Sequence, residues 1–158
     1  MGIPTLISTA TITSATANVS ITSGITSSYD EYMFVVTDYN PSSDGQTLFF
    51  NGSTDSGSNY NVTKTTTFFR ARHDEGDGTA ELAYQTGEDL AQGTGFQEIA
   101  HDVGSDADQS CAGILHLFNP ASTVYVKHFY WRFVNAQYTN QQHDIFGAGY
   151  MNTTSAVD

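Results

Sequence analysis

The chain has a single cysteine, Cys111, so no disulfide can form within it. Set in Ser110-Cys111-Ala112-Gly113-Ile114-Leu115, it reads as a small buried hydrophobe at the start of a strand. Basic residues are scarce: five Lys and Arg stand against seventeen Asp and Glu, for a formal net charge of −12 at pH 7. Phosphate backbones repel such a surface, which argues against nucleic acid as a partner. No run approaches the roughly 18 consecutive apolar residues of a membrane helix. The start, Met1-Gly2-Ile3-Pro4-Thr5-Leu6, lacks a basic segment, so the expectation is synthesis in a cytoplasm without an N-terminal address. Gly2 has the position of a myristoylated glycine, but Leu6 stands where Ser or Thr is preferred.

Also missing are the motifs that announce chemistry. The sequence has no Gly-x-Ser-x-Gly elbow, no phosphate loop and no dinucleotide fingerprint. The expectation is therefore a chain with no catalytic residues, no cofactor and no metal. Charged residues make up only 14% of the chain, so its polarity must come from Ser, Thr, Asn, Gln and Gly. That mixture suits strands and turns better than helices, whose exposed faces favour Glu, Lys, Arg and Ala.

What is present is apolar and aromatic: 39% hydrophobic and 13% aromatic residues, enough for one domain with a buried core. Period-two alternation and turn residues predict strands over 29–39, 46–51, 60–72, 79–86, 96–103, 111–118, 123–135 and 143–151. The best hairpin joins 29–39 to 46–51 through Asn40-Pro41-Ser42-Ser43-Asp44-Gly45. Glu88 to Gln92 has room for one helical turn, although glycines frame it as a loop. The densest stretch is 123–135, which holds the only Trp. Its odd residues Tyr125, Lys127, Phe129, Trp131 and Phe133 should face inward. Its even face is also largely apolar, so the strand is expected to be central and covered on both sides, with Tyr130 and Arg132 turned toward a partner or a second layer. Residues 5–28 are almost entirely small, β-branched or hydroxylated, and no charged side chain occurs before Asp30, so 1–28 form a Ser/Thr-rich N-terminal segment. They read as two edge strands or an extended arm lying against something. The whole predicts one all-β domain over 1–158, a two-sheet jelly-roll-like β-sandwich.

Few residues suggest a site. The five histidines lack metal-motif spacing, although His116 and His128 fall on adjacent predicted strands. The acidic turns Asp74-Glu75-Gly76-Asp77-Gly78 and Asp102 with Asp106 and Asp108 are loose relatives of calcium loops without the full signature. Tyr29, Tyr39 and Tyr138 are candidate rings for stacking on a glycan, and Arg132 is a candidate partner contact.

The order of segments carries a resemblance. Ser28-Tyr29-Asp30-Glu31-Tyr32 enters a strand, Asn40-Pro41 turns it, and Leu48-Phe49-Phe50 returns. Later comes Gly113-Ile114-Leu115-His116-Leu117-Phe118-Asn119-Pro120. These stretches resemble small virion proteins of tailed phages, of the kind encoded by marine and cyanobacterial phages. The resemblance implies a non-enzymatic structural protein exposed on the particle, as capsid decoration or as a tail or fibre component. Its partners would be other virion proteins and copies of itself; it would be made in the host cytoplasm and located in the virion. The alternative is a carbohydrate- or host-receptor-binding β-sandwich. Such proteins usually run on into a final strand, whereas this sequence stops at Asp158. The expectation is a shorter member or an incomplete chain, with one sheet edge open if that strand is missing.

Overall fold

A computed structural model describes residues 3–158. The myristoylation reading of Gly2 lies outside the described residues. The chain is all-β, with eight strands: β1 (Glu31–Tyr39), β2 (Gln46–Phe50), β3 (Lys64–Asp74), β4 (Ala80–Tyr84), β5 (Gln97–Val103), β6 (Cys111–Phe118), β7 (Lys127–Gln137) and β8 (Gln141–Met151). No helix occurs among the described residues, so Glu88 to Gln92 stays a loop. Every pairing is antiparallel. Six strands form one sheet in the order β1-β6-β7-β8-β3-β4. β2 pairs with β5, and β5 joins the ladder of the large sheet only where Val103 pairs with Gln137 on β7.

The result is a lopsided sandwich in which β2 and β5 cover the inner face of the six-stranded sheet. Ile99, Ala100 and Val103 of β5 share one core with Phe68, Leu115, Leu117, Phe129, Trp131, Phe133 and Ile145. Leu48 and Phe50 of β2 close that core, with the Phe50 ring 5.5 Å from that of Phe129. Cys111 is buried here as expected, and burial pushes its thiol pKa up to about 12.

β7 organises this core. Its odd residues are buried and its even residues are exposed, except the half-buried Ala136. Each large inward ring lies beside a glycine on a neighbouring strand. Phe129 pairs with Gly149, Trp131 with Gly147, and Phe133 with Gly113. A Cβ at Gly147 would collide with both the Trp131 ring and the carbonyl of Thr67. Rings this wide cannot sit side by side on adjacent strands without overpacking, and the glycines make the room.

Three sequence expectations fail. Tyr125 does not face inward: it precedes β7 and is 72% exposed. The β1–β2 hairpin does not form: β1 pairs with β6, and β2 with β5. A register shift between Val36 and Tyr39, with Asp38 at φ 54°, breaks the end of β1. The following turn is then tied to the loop after β5 and to the end of β5. Asn40 Nδ2 donates to the carbonyls of Asp106 and Gln109, Gly45 N donates to Val103 O, and Asp44 Oδ1 accepts from Ser105 N. The turn thus carries the chain from one layer to the other. Nor is β7 covered on both sides, because the second layer has only two strands and lies on one face.

Residues 3–30 form no strand, so the arm alternative is the one that occurs. Its hydrogen bonds to the strands are at its base, and farther out Ile7 folds back against Gly24. The Tyr32 hydroxyl accepts from Thr26 N and donates to Thr26 O at 2.8 and 2.9 Å, and the Thr22 methyl packs beside Gly57.

Candidate interaction surface

The antiparallel registers place alternate residues of six strands on the outer face of the large sheet. β1 contributes Met33 and Val35, and β6 contributes Ile114, His116 and Phe118. β7 contributes His128, Tyr130, Arg132 and Val134, and β8 contributes Asp144, Phe146, Ala148 and Tyr150. β3 and β4 add Phe69, Leu82 and Tyr84. The 85–92 loop borders one edge, where the Tyr84 hydroxyl donates to Asp89 and Gln92 Nε2 donates to the Tyr150 hydroxyl at 3.3 Å, and no strand lies over the rest among the described residues. Val35 is 60% exposed and Leu82 66% exposed, and Met33, Ile114, Tyr130, Val134 and Tyr84 are exposed as well. A contiguous apolar area of this kind marks an interaction site.

Two aromatic stacks shape the face. His116 stacks on Tyr130 at 4.5 Å, with Phe118 beside them. Phe69 stacks on Phe146 at 5.4 Å and meets the edge of Tyr84 at 5.1 Å. An ion pair lies between the stacks: Arg132 Nε and Nη2 donate to Asp144 Oδ1 and Oδ2 at 2.9 and 2.6 Å. That carboxylate holds the guanidinium pKa up. His116 Nδ1 donates to Glu31 Oε1 at 2.6 Å. Apart from histidines, Glu31, Arg132 and Asp144 are the only charged residues that the registers place on this face. In a chain of net charge −12 the outer face is nearly neutral. An open groove of about 520 Å³, lined mainly by Phe118, Val124, Tyr125, Val126 and His128, continues it at one end.

The sequence-proposed contacts do not converge. Arg132 lies in the middle of the outer face. Tyr29 is exposed just before β1 and packs edge-on against Tyr32. Tyr39, at the far end of β1, is half-buried against the core, and burial raises its pKa. Tyr138 is exposed in the β7–β8 turn beside Gly45. Tyr29 is thus about 30 Å of extended strand from Tyr39. The three rings form no common stacking platform.

His116 and His128 do not pair either: His116 is opposite Tyr130, and His128 is opposite Tyr150 on β8. Among the described residues no cluster of His, Cys, Asp and Glu is placed to hold a metal. In the first acidic turn, Asp74 Oδ1 already accepts from Gly78 N at 2.8 Å.

Sequence reasoning missed a polar layer at the β5 end of the core. His101 meets Glu98 at 2.6 Å and Asp102 at 3.1 Å, and its ring stacks on His143 at 6.4 Å. The Glu98 hydrogen bond raises the His101 pKa. His143 is buried, and burial, with Arg70 and His101 nearby, lowers its pKa to about 4. Two lysines are buried in the core: Lys127, on the face of the 123–135 strand expected to look inward, and Lys64, which went unnoticed. Lys64 and Lys127 flank Met151 across β3, β8 and β7, and no carboxylate pairs with either ammonium. Lys64 Nζ donates to Asn51 Oδ1 and Val62 O; Lys127 Nζ donates to Tyr125 O and Thr153 O. Burial lowers both pKa values, that of Lys64 to about 8. Lys64 lies on an alternation that looks like any other strand position, so only the register reveals it.

In comparisons with known proteins, no family model, curated protein or solved structure matches the chain.

Proposed function

We propose that this chain is a non-enzymatic assembly protein, exposed on a tailed-phage particle as head decoration or as a tail or fibre component. The observation that carries the assembly reading is the uncovered outer face, six strands wide, apolar and nearly neutral in an otherwise acidic protein. With strands about 4.8 Å apart the sheet spans roughly 24 Å, and most of its strands are long enough to present a patch of the size that stable interfaces bury. The acidic remainder of the surface keeps subunits from associating elsewhere. The phage assignment draws on the sequence resemblance.

Mass spectrometry of purified particles tests it. The chain should be found in mature virions in a fixed ratio to the major proteins, and its absence there would sink the virion assignment. Turnover in a glycosidase and esterase screen would overturn the non-enzymatic part.

A further inference from the structure

The structure contains an unpaired segment and an undefended sheet edge, and they match. Among the described residues, Ile3 to Ile25 make no backbone–backbone hydrogen bond. The stretch is uncharged and rich in Thr, Ser, Ile and Val, which favour strands. Its apolar side chains stand in solvent, Leu6 at 81% exposed and Ile12 at 52%.

The edge is β1. It pairs with β6 on one side and with nothing on the other, and from Glu31 to Val36 its register is unbroken. Natural edges are protected by charge, proline, bulges or short length. β4 is five residues long and carries Glu81, and β2 is five residues long with two register shifts. The Glu31–Val36 stretch of β1 has Glu31 alone.

We propose that residues 6–12 of one copy add as a strand to the Glu31–Val36 edge of β1 in a second copy. The proposal rests on the assembly reading and names its partner. Seven extended residues span about 23 Å, enough to match the six of the edge. Leu6, Ala10 and Ile12 share one side of such a strand and would extend the exposed Met33 and Val35 row. Charge allows it, since an uncharged arm can approach a −12 neighbour where most of its surface cannot. The base of the arm is anchored by Thr22 beside Gly57 and by Thr26 at Tyr32, and pairing within one chain is the alternative that a monomeric disulfide would reveal.

The test uses full-length chains. Ser8→Cys and, separately, Val35→Cys variants, one mass-tagged, are mixed under mild oxidation; the native Cys111 is buried and stays out of the reaction. A disulfide-linked heterodimer should form, and Leu82→Cys on β4 should give at least tenfold less with the same arm variant. Ala10→Pro, which removes a strand donor from a segment with no backbone hydrogen bonds of its own, should raise the self-dissociation constant at least tenfold in analytical ultracentrifugation. Equal linking to Val35→Cys and Leu82→Cys would overturn the proposal. So would a monomeric disulfide in the Ser8→Cys/Val35→Cys double variant, or self-association unchanged by Ala10→Pro. An unchanged association that is lost with Tyr130→Asp would overturn the arm exchange and leave the assembly reading standing. A chain that is monomeric throughout yet present in virions would overturn the exchange alone.

Discussion

Trp131 lies across Gly147: the two residues are opposite each other on β7 and β8, and the indole occupies the space where a side chain at 147 would be. The ring is 1% exposed, stacks with Phe129 at 6.0 Å and tilts against Phe68 at 6.2 Å. Its Nε1 has no protein partner. The site therefore rests on shape rather than on hydrogen bonding, and both members should be sensitive to size.

Trp131→Ala should cost on the order of 3–5 kcal/mol, a large part of a typical domain's 5–15 kcal/mol. Gly147→Ala should cost at least about 1–3 kcal/mol, because the added methyl meets backbone as well as the ring. Urea denaturation of both variants measures this. In the native protein the Trp131 emission should be blue-shifted and resistant to acrylamide. Emission at the free-indole position would remove the core assignment.

Arg132→Ala, on the opposite face of the same strand, should fold with a melting temperature close to that of the parent. The Arg132–Asp144 pair is open to water and screened by salt. Its loss leaves Asp144 as an uncompensated negative charge on the near-neutral face. The expected consequence is weaker self-association at low salt, partly restored at high salt, with unchanged circular dichroism. Association that is unaffected at every salt concentration would place the subunit contact away from this face.

The polar layer predicts a loss of stability in mild acid. His143 titrates near 4 in the fold, against about 6.5 when unfolded. Between those values the unfolded chain binds a proton that the folded chain refuses, so stability falls as pH drops from 6.5 to 4 and levels off below. The full effect is at most about 3 kcal/mol. His101 acts oppositely. Its pKa is raised in the fold, so its contribution is complete below 6.5 and fades as pH rises through the folded value. His143→Gln should flatten the fall between pH 6.5 and 4, while His101→Gln should leave that window nearly unchanged and instead remove a loss of stability above pH 6.5. Denaturation midpoints across that range decide the point, and parallel curves for parent and His143→Gln would refute it.

Lys64 predicts a slope of the same sign in base. Its folded pKa of about 8 is below the unfolded value of 10.5, so above pH 8 the folded chain sheds a proton that the unfolded chain keeps. Stability should rise between pH 8 and 9.5, a window chosen to stay below tyrosine ionisation. In Lys64→Met that rise should disappear. An identical pH profile in the two proteins would show that the ammonium is not held in the fold as described.

The sequence determined where strands lie and which side of β7 faces in. Alternation is a local, two-valued property, and Phe129, Trp131 and Phe133 against His128 and Arg132 leave little choice. Cys111 at the head of β6 was legible for the same reason. Strand partnership was not. Asn40 to Gly45 has the residues of a reversing turn, but turn chemistry says only that the chain changes direction, and the hydrogen bonds to 103–109 send β2 to β5 instead of β1. The open outer face was equally hidden, because a strand apolar on both sides reads as buried whether or not the chain has enough strands to cover it. Here β2 and β5 cover one side only. His101 and His143 stand 42 residues apart and meet only because β5 closes over the β7–β8 ladder, as Lys64 and Lys127 meet only across Met151. Such groupings depend on register, which is decided by packing the whole core at once.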